Sequence, residues 1–197
     1  MKIIFASKNE GKVREVSHIL SDLKIEILSL NDIDNSPEII ENGETFLENA
    51  NLKADTVYRK YKIPALADDS GLVVEQLNGK PGIFSARYAG ENTTDERNNS
   101  KLINELKNFP EPHKAKFVCS AVYFDGENFL SGYGEVRGKI IDKPRGVNGF
   151  GYDPLFVADG YTKTMAELDV EVKNKISHRA IAFNELKNLI KSYRRSS

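Results

Sequence analysis

Ala65-Leu66-Ala67-Asp68-Asp69-Ser70-Gly71-Leu72-Val73-Val74 sets apolar residues on both sides of two adjacent carboxylates. Ala65-Leu66-Ala67, entered from Pro64, reads as a short buried strand that ends at the Asp pair, and Leu72-Val73-Val74 resumes extended structure. Two neighbouring carboxylates at a strand end resist close packing, because neither is buried cheaply without a cation or donors. Mg²⁺ needs oxygen ligands and is usually held by one or two carboxylates plus phosphate oxygens. One carboxylate suits the metal while the other takes a proton from water. The alternative is an acidic turn with Ser70-Gly71 as loop residues.

Upstream, a long helix is expected from about Thr45 to Tyr61. Thr45 with Glu48 makes a capping box, Phe46, Ala50, Ala54, Val57 and Tyr61 form the apolar stripe, and Asp55 with Arg59 is an i,i+4 pair. Ile3 to Ala6 reads as a strand, followed by a helix with Val13, Val16, Ile19 and Leu20 on one face, then a strand at Ile25 to Leu28. Downstream, Thr93 with Glu96 offers a second capping box before a helix carrying Leu102, Ile103 and Leu106. Strands at about 115–124 and 129–141 flank the turn Asp125-Gly126-Glu127-Asn128. Residues 142–154 are a Gly/Pro-rich loop, and a last helix starts near His178 with Ile181, Leu186, Leu189 and Ile190 facing inward. This alternation predicts an α/β fold with a mixed sheet.

The chain has 197 residues, with 28 basic and 29 acidic side chains and a net charge of -1. No global field draws it to nucleic acid or to a membrane surface, so any polyanion site must be local. The single cysteine, Cys119, sits in an apolar run and reads as a small buried hydrophobe. His18, His113 and His178 are too far apart in sequence for zinc spacing. No signal-peptide core and no apolar run of membrane-spanning length is present, so a cytoplasmic location is expected.

Four further segments carry candidate chemistry. Ser7-Lys8-Asn9-Glu10-Gly11-Lys12 joins a strand to a helix; a helix start favours an anion and Lys12 adds a mobile charge, although Walker A glycine spacing is absent. An ordinary polar helix entry capped by Asn9 explains it as well. Pro144 to Pro154 sets three glycines around Phe150 and Tyr152, either of which suits stacking on a base, against a hairpin loop with buried aromatics. Lys173 and Ser177-His178-Arg179, at the start of the last helix, oppose the helix dipole, which asks for a reason beyond helix stability. A solvated basic turn is the alternative. Glu41 precedes the helix bearing Lys53 and offers one more metal ligand.

SKNEGK at 7–12, ENGETFLENANLKA at 41–54, ALADDSGL at 65–72, PGIFSARYAG at 81–90, GFGYDPLF at 149–156 and KNKISHRAIAF at 173–183 nearly span the chain. Together and in this order they resemble the inosine/xanthosine triphosphate pyrophosphatases, which clear non-standard purine nucleotides. The resemblance implies one catalytic domain over 1–197, with a strongly twisted mixed central sheet, flanking helices, and two lobes around an active-site cleft. It implies a homodimer, Mg²⁺, and hydrolysis of ITP, dITP or XTP to the monophosphate and diphosphate. By position, Ser7, Lys8, Asn9, Glu10, Gly11 and Lys12 form the triphosphate loop. Glu41 and Asp69 match metal and catalytic carboxylates, with Asp69 the proton acceptor. Lys53 and Asp68 support catalysis, and Ser70 contacts substrate. Phe150, Gly151, Tyr152 and Asp153 match the base loop, while Lys173, His178 and Arg179 reach phosphate and base. His178 and Arg179 would donate to a 6-oxo group and so reject adenine. Ser7 stands where Thr is usual, and Asn148 where Gly is common. A Maf-like pyrophosphatase acting on pyrimidines, and a nucleotide sensor that does not cut, are the competing functions.

Overall fold

The computed structural model describes residues 1–196. Its six strands are β1 (Lys2–Phe5), β2 (Glu26–Ser29), β3 (Ala65–Val74), β4 (His113–Phe124), β5 (Phe129–Ile140) and β6 (Phe156–Ala158). Its α-helices are α1 (Glu10–Ile19), α2 (Phe46–Tyr61), α3 (Asp95–Leu106), α4 (Val170–Ile176) and α5 (His178–Ser196). The strands form one sheet in the order β2-β1-β3-β4-β5-β6. β1 pairs in parallel with β2, Lys2 opposite Glu26, and with β3, Phe5 opposite Leu66. β5 pairs antiparallel with β6, Ile140 opposite Phe156. The sheet is therefore mixed, as the alternation of elements predicts.

The chain divides into two compact units: Met1–Asp69, Cys119–Gly134 and His178–Ser197 in one, Ser70–Val118 and Glu135–Ser177 in the other. In the first unit the alternation of β3 decides what covers each face. Leu66 packs with Val16 and Ile19 of α1 and with Ala180, Phe183 and Leu186 of α5. Ala65 and Ala67 pack with Ala50, Ala54 and Val57 of α2. Each fully buried large apolar side chain of these clusters contributes about 1.5–3 kcal/mol over exposure. α2 opens with the expected capping box, Thr45 accepting from the Glu48 N–H.

The second unit has its own core, in which Leu72 and Val74 of β3 meet Leu102 and Leu106 of α3, Phe117 of β4 and Phe156 of β6. Here α3 is capped one residue later than expected. Thr94, not Thr93, accepts from the Arg97 N–H, so Glu96 is not the capping-box partner.

Other expectations change too. β3 runs unbroken through Asp68, Asp69, Ser70 and Gly71, so the acid pair lies inside a strand. β6 and α4, three and seven residues long, are too short for periodicity to reveal. Ile181 and Leu189 are exposed. The buried row of α5 is Ala180, Ala182, Phe183, Leu186 and Ile190 instead. Within that row Ala182 lies where β5 approaches closely: a Cβ on Gly134 would lie 2.7 Å from the Ala182 nitrogen. Among the described residues, no helix is long and apolar enough to cross a membrane.

Candidate active site

Asp68 continues the row of Leu66 and meets α1 and α5. Lys12 Nζ lies 3.0 Å from Asp68 Oδ2, and Arg179 Nε lies 3.2 Å from the same oxygen. Arg179, itself only 2% exposed, also reaches Glu15 Oε2 through Nη1 at 2.7 Å. Burial alone would raise the Asp68 pKa, but the Lys12, Arg179 and Lys53 cations outweigh it and hold the carboxyl well below the usual range. Cys119 lies behind this carboxylate, buried, with its thiol pushed up by desolvation and by Asp68. Its burial agrees with the small hydrophobe expected from its apolar run.

Asp69 continues the row of Ala65 and Ala67 and meets α2. Lys53 Nζ donates to Asp69 Oδ1 at 3.0 Å and to the Asp68 carbonyl at 3.0 Å, and pairs with Glu41 Oε1 at 2.8 Å. Asn49, one turn before Lys53, donates through Nδ2 to Asp69 Oδ2 at 3.2 Å. Its own Oδ1 accepts from the Gly43 N–H at 2.9 Å, which ties the segment after Glu41 to α2. Burial dominates at Asp69 and raises its pKa; Lys53 opposes this and Glu41 adds to it. Burial would lower the Lys53 pKa, yet Asp69, Glu41 and Asp68 raise it, so the ammonium stays charged between them.

The Ser7–Lys12 segment forms the entry to α1. Asn9 caps it, accepting from the Lys12 N–H at 3.0 Å, and Ser7 Oγ accepts from the Asn9 N–H at 3.2 Å. Lys8 and Glu10 are exposed, while Gly11 and Lys12 are half-buried. Lys12 therefore links the α1 entry to the acid pair. Ser70 follows Asp69 on β3, half-buried.

In the second unit, Gly149 and Gly151 take positive φ of 85° and 63°. Asp153 folds back between them, accepting from the Phe150 N–H at 2.9 Å, and pairs with Lys173 Nζ at 2.7 Å. Lys173 Nζ sits 5.0 Å from the Phe150 ring centroid. Lys173 lies on α4 and not on the helix of His178 and Arg179. Tyr152 is buried, and its hydroxyl donates to the Ser85 carbonyl at 2.9 Å. Its ring is part of the core, which leaves Phe150, half-buried, as the aromatic suited to stacking.

Arg179, which the resemblance sets toward phosphate and base, has its guanidinium beside Asp68 and Glu15. His178, at the start of α5, is buried as well. Four residues that bear on these clusters escaped sequence reasoning: Glu15, Asn49, Asp95 and Asn99. Asn49 carries a legible signal, since Asn49 and Lys53 are polar residues at i,i+4 spacing beside the buried Ala50 and Ala54. Glu15 carries none, because its partner lies 164 positions away.

A model of the Ham1 family matches residues 3–189. The chain belongs to the Ham1 family. This Ham1 chain is 49% identical over 189 residues to the dITP/XTP pyrophosphatase of Geobacter sulfurreducens, covering 95% of each. It is 48% identical over 201 residues to that of Aquifex aeolicus, covering 98% of each. A solved structure of a HAM1 protein from Coxiella burnetii superposes with a TM-score of 0.89 at 39% identity, covering 98% of this chain and 99% of that one. The Ham1 protein of Staphylococcus aureus gives 0.87 at 40% identity, covering 98% and 100%.

Proposed function

We propose that this Ham1 chain hydrolyses non-standard purine nucleoside triphosphates (dITP, ITP and XTP) to the monophosphate and diphosphate. One observation carries the chemistry: Glu41, Asp69 and Lys53 converge at one point, with Asp69 buried yet accepting from Lys53 and Asn49. The full-length relatives named dITP/XTP pyrophosphatases supply the substrate class.

Asp69 is assigned the proton from the attacking water. Lys53 and Asn49 fix the orientation of its carboxylate. Asp68 stays ionised and holds Lys12 at the entry of α1, where the cation neutralises phosphate oxygens. Arg179 and Glu15 hold Asp68 in turn. Lys53 keeps the Glu41 and Asp69 carboxylates together, which would otherwise repel. Water attack then breaks the bond between the α and β phosphates. Ser7, Ser70, Phe150, Lys173 and His178 are proposed as substrate contacts, with Phe150 stacking on the base.

The donor set fits Mg²⁺. Glu41 Oε1 and Asp69 Oδ1, both hard oxygens, already turn to a single cation, the Lys53 ammonium. Among the described residues no group of three or more metal-ligating side chains exists. Mg²⁺ does not need one, since one or two carboxylates usually hold it together with substrate phosphates. Held by Glu41 and Asp69 together with substrate phosphates, Mg²⁺ would offset the negative charge that builds on the phosphate oxygens. The family resemblance further supports a cytoplasmic homodimer, a state that light scattering on the purified chain would report.

The deciding experiment is diphosphate release from dITP, ITP, XTP, GTP, ATP and UTP, with and without Mg²⁺. Release from the first three, dependent on Mg²⁺, is expected. No release from any nucleotide would leave only a sensor, and release from UTP alone would point to the pyrimidine enzyme.

A further inference from the structure

Gly151 is held by hydrogen bonds where packing does not hold it. A Cβ added there would meet nothing within 4 Å, and its φ is 63°. At Gly149, by contrast, a Cβ would lie 2.1 Å from Asp153 Oδ2. Yet Gly151 is gripped through both of its polar groups. Its N–H donates to Asp95 Oδ2 at 2.6 Å, and its carbonyl accepts from Asn99 Nδ2 at 3.0 Å. Asp95 and Asn99 are four apart on α3, so successive turns present them on one face.

An acid suits the first turn of α3, but neither the helix nor the core accounts for the turn of Asp95 and Asn99 toward Gly151. Thr94 already caps α3. Asn is a poor helix former, and a buried amide is costly unless bonded. Asn99 is 7% exposed, and its Oδ1 finds no hydrogen-bond partner among the described residues. Its amide donor is spent on Gly151. The neighbour of Gly151 in the chain is Phe150, already tied on its other side to Asp153 and, through Asp153, to Lys173.

We propose that Asp95 and Asn99 are positioning residues for base recognition: they grip Gly151 by its N–H and its C=O and thereby set the Phe150 ring. The substrate part of this inference rests on the proposed function above. The clamp orders the loop before nucleotide arrives, so that binding does not have to do so.

The test uses the full chain with Asp95→Ala, Asn99→Asp and Asp95→Asn. Asn99→Asp replaces the donor by an oxygen that repels the Gly151 carbonyl. Asp95→Asn keeps an acceptor for the Gly151 N–H. For Asp95→Ala and Asn99→Asp, KM for dITP and XTP should rise about tenfold, with kcat within about twofold. Asp95→Asn should restore KM to within about threefold of wild type, because a neutral acceptor retains part of a charge-assisted bond. In the nucleotide-free protein, amide exchange across residues 149–153 should speed up about tenfold in the first two variants. Unchanged KM, or a fall in kcat with KM unmoved, overturns the positioning role. Unchanged exchange overturns the clamp itself. Were wild type to release no diphosphate from any nucleotide, the function would fail and exchange alone would judge the clamp.

Discussion

Asp68 and Asp69 are neighbours on β3, yet their carboxylates leave on opposite faces and shift in opposite directions. Asp68 meets Lys12 and Arg179 and is held ionised, whereas Asp69 meets Lys53 and Asn49 and is raised by burial. A pair of titratable groups whose surroundings push them apart is how one site obtains a base beside a permanent charge.

Asp69→Asn should cut kcat by about a hundredfold or more, because the base is lost and the shape is kept. Nucleotide affinity, read by calorimetry, should change by no more than about threefold. Near-wild-type turnover in this variant would remove Asp69 from its role.

Asn49→Leu should move the acid limb of the kcat/KM profile to higher pH. The Nδ2 donor favours the ionised form of Asp69, so its removal leaves burial less opposed and raises the Asp69 pKa further. Rates across the acid range are the measurement; a limb that stayed in place or moved down would show that Asp69 does not set it.

Asp68→Asn should cost about 3 kcal/mol at neutral pH, since Arg179 and Lys12 lose their shared carboxylate. Because the native Asp68 pKa lies below its ordinary 3.8, its stabilisation is complete above that value and is lost as pH falls through the lowered one. The difference between wild type and variant in urea should therefore hold from about pH 7 to about pH 4 and narrow below. A difference that widened in acid would contradict the ion pairing.

Gly134→Ala should destabilise by about 1–3 kcal/mol through overpacking. The new Cβ would sit 2.1 Å from the His178 carbonyl and 2.9 Å from Ile181 Cβ. Since it presses on the first turn of α5, where Arg179 pairs with Asp68, kcat should fall along with the melting temperature. Thermal melts and turnover on the same preparation test both.

Much of this is legible in the sequence. The α2 capping box, the buried strand entering Asp68, the buried Cys119 and the Ser7–Lys12 helix entry follow from local pattern. Local reasoning failed where one side chain answers to a distant one. On α5, size alone turns Ile181 and Leu189 inward, yet both are exposed, and Ala180 and Ala182 are buried where Gly132 and Gly134 come close to the Ala182 backbone. Tyr152 and Phe150 look interchangeable in a Gly-rich loop until one hydroxyl finds Ser85.

The sequence by itself determined the longer elements, the apolar residues that flank the acid pair, and the family; that β3 runs on through the pair and so turns its carboxylates to opposite faces came with the fold. Only the tertiary structure decided which carboxylate became which. Arg179 lies 111 positions from Asp68, and Lys53 reaches Asp69 from a helix laid on the other face of β3. A strand's period of two assigns sides, but what waits on each side arrives through long-range packing: cations hold Asp68 ionised, whereas at Asp69 burial outweighs Lys53 and leaves that acid to accept a proton.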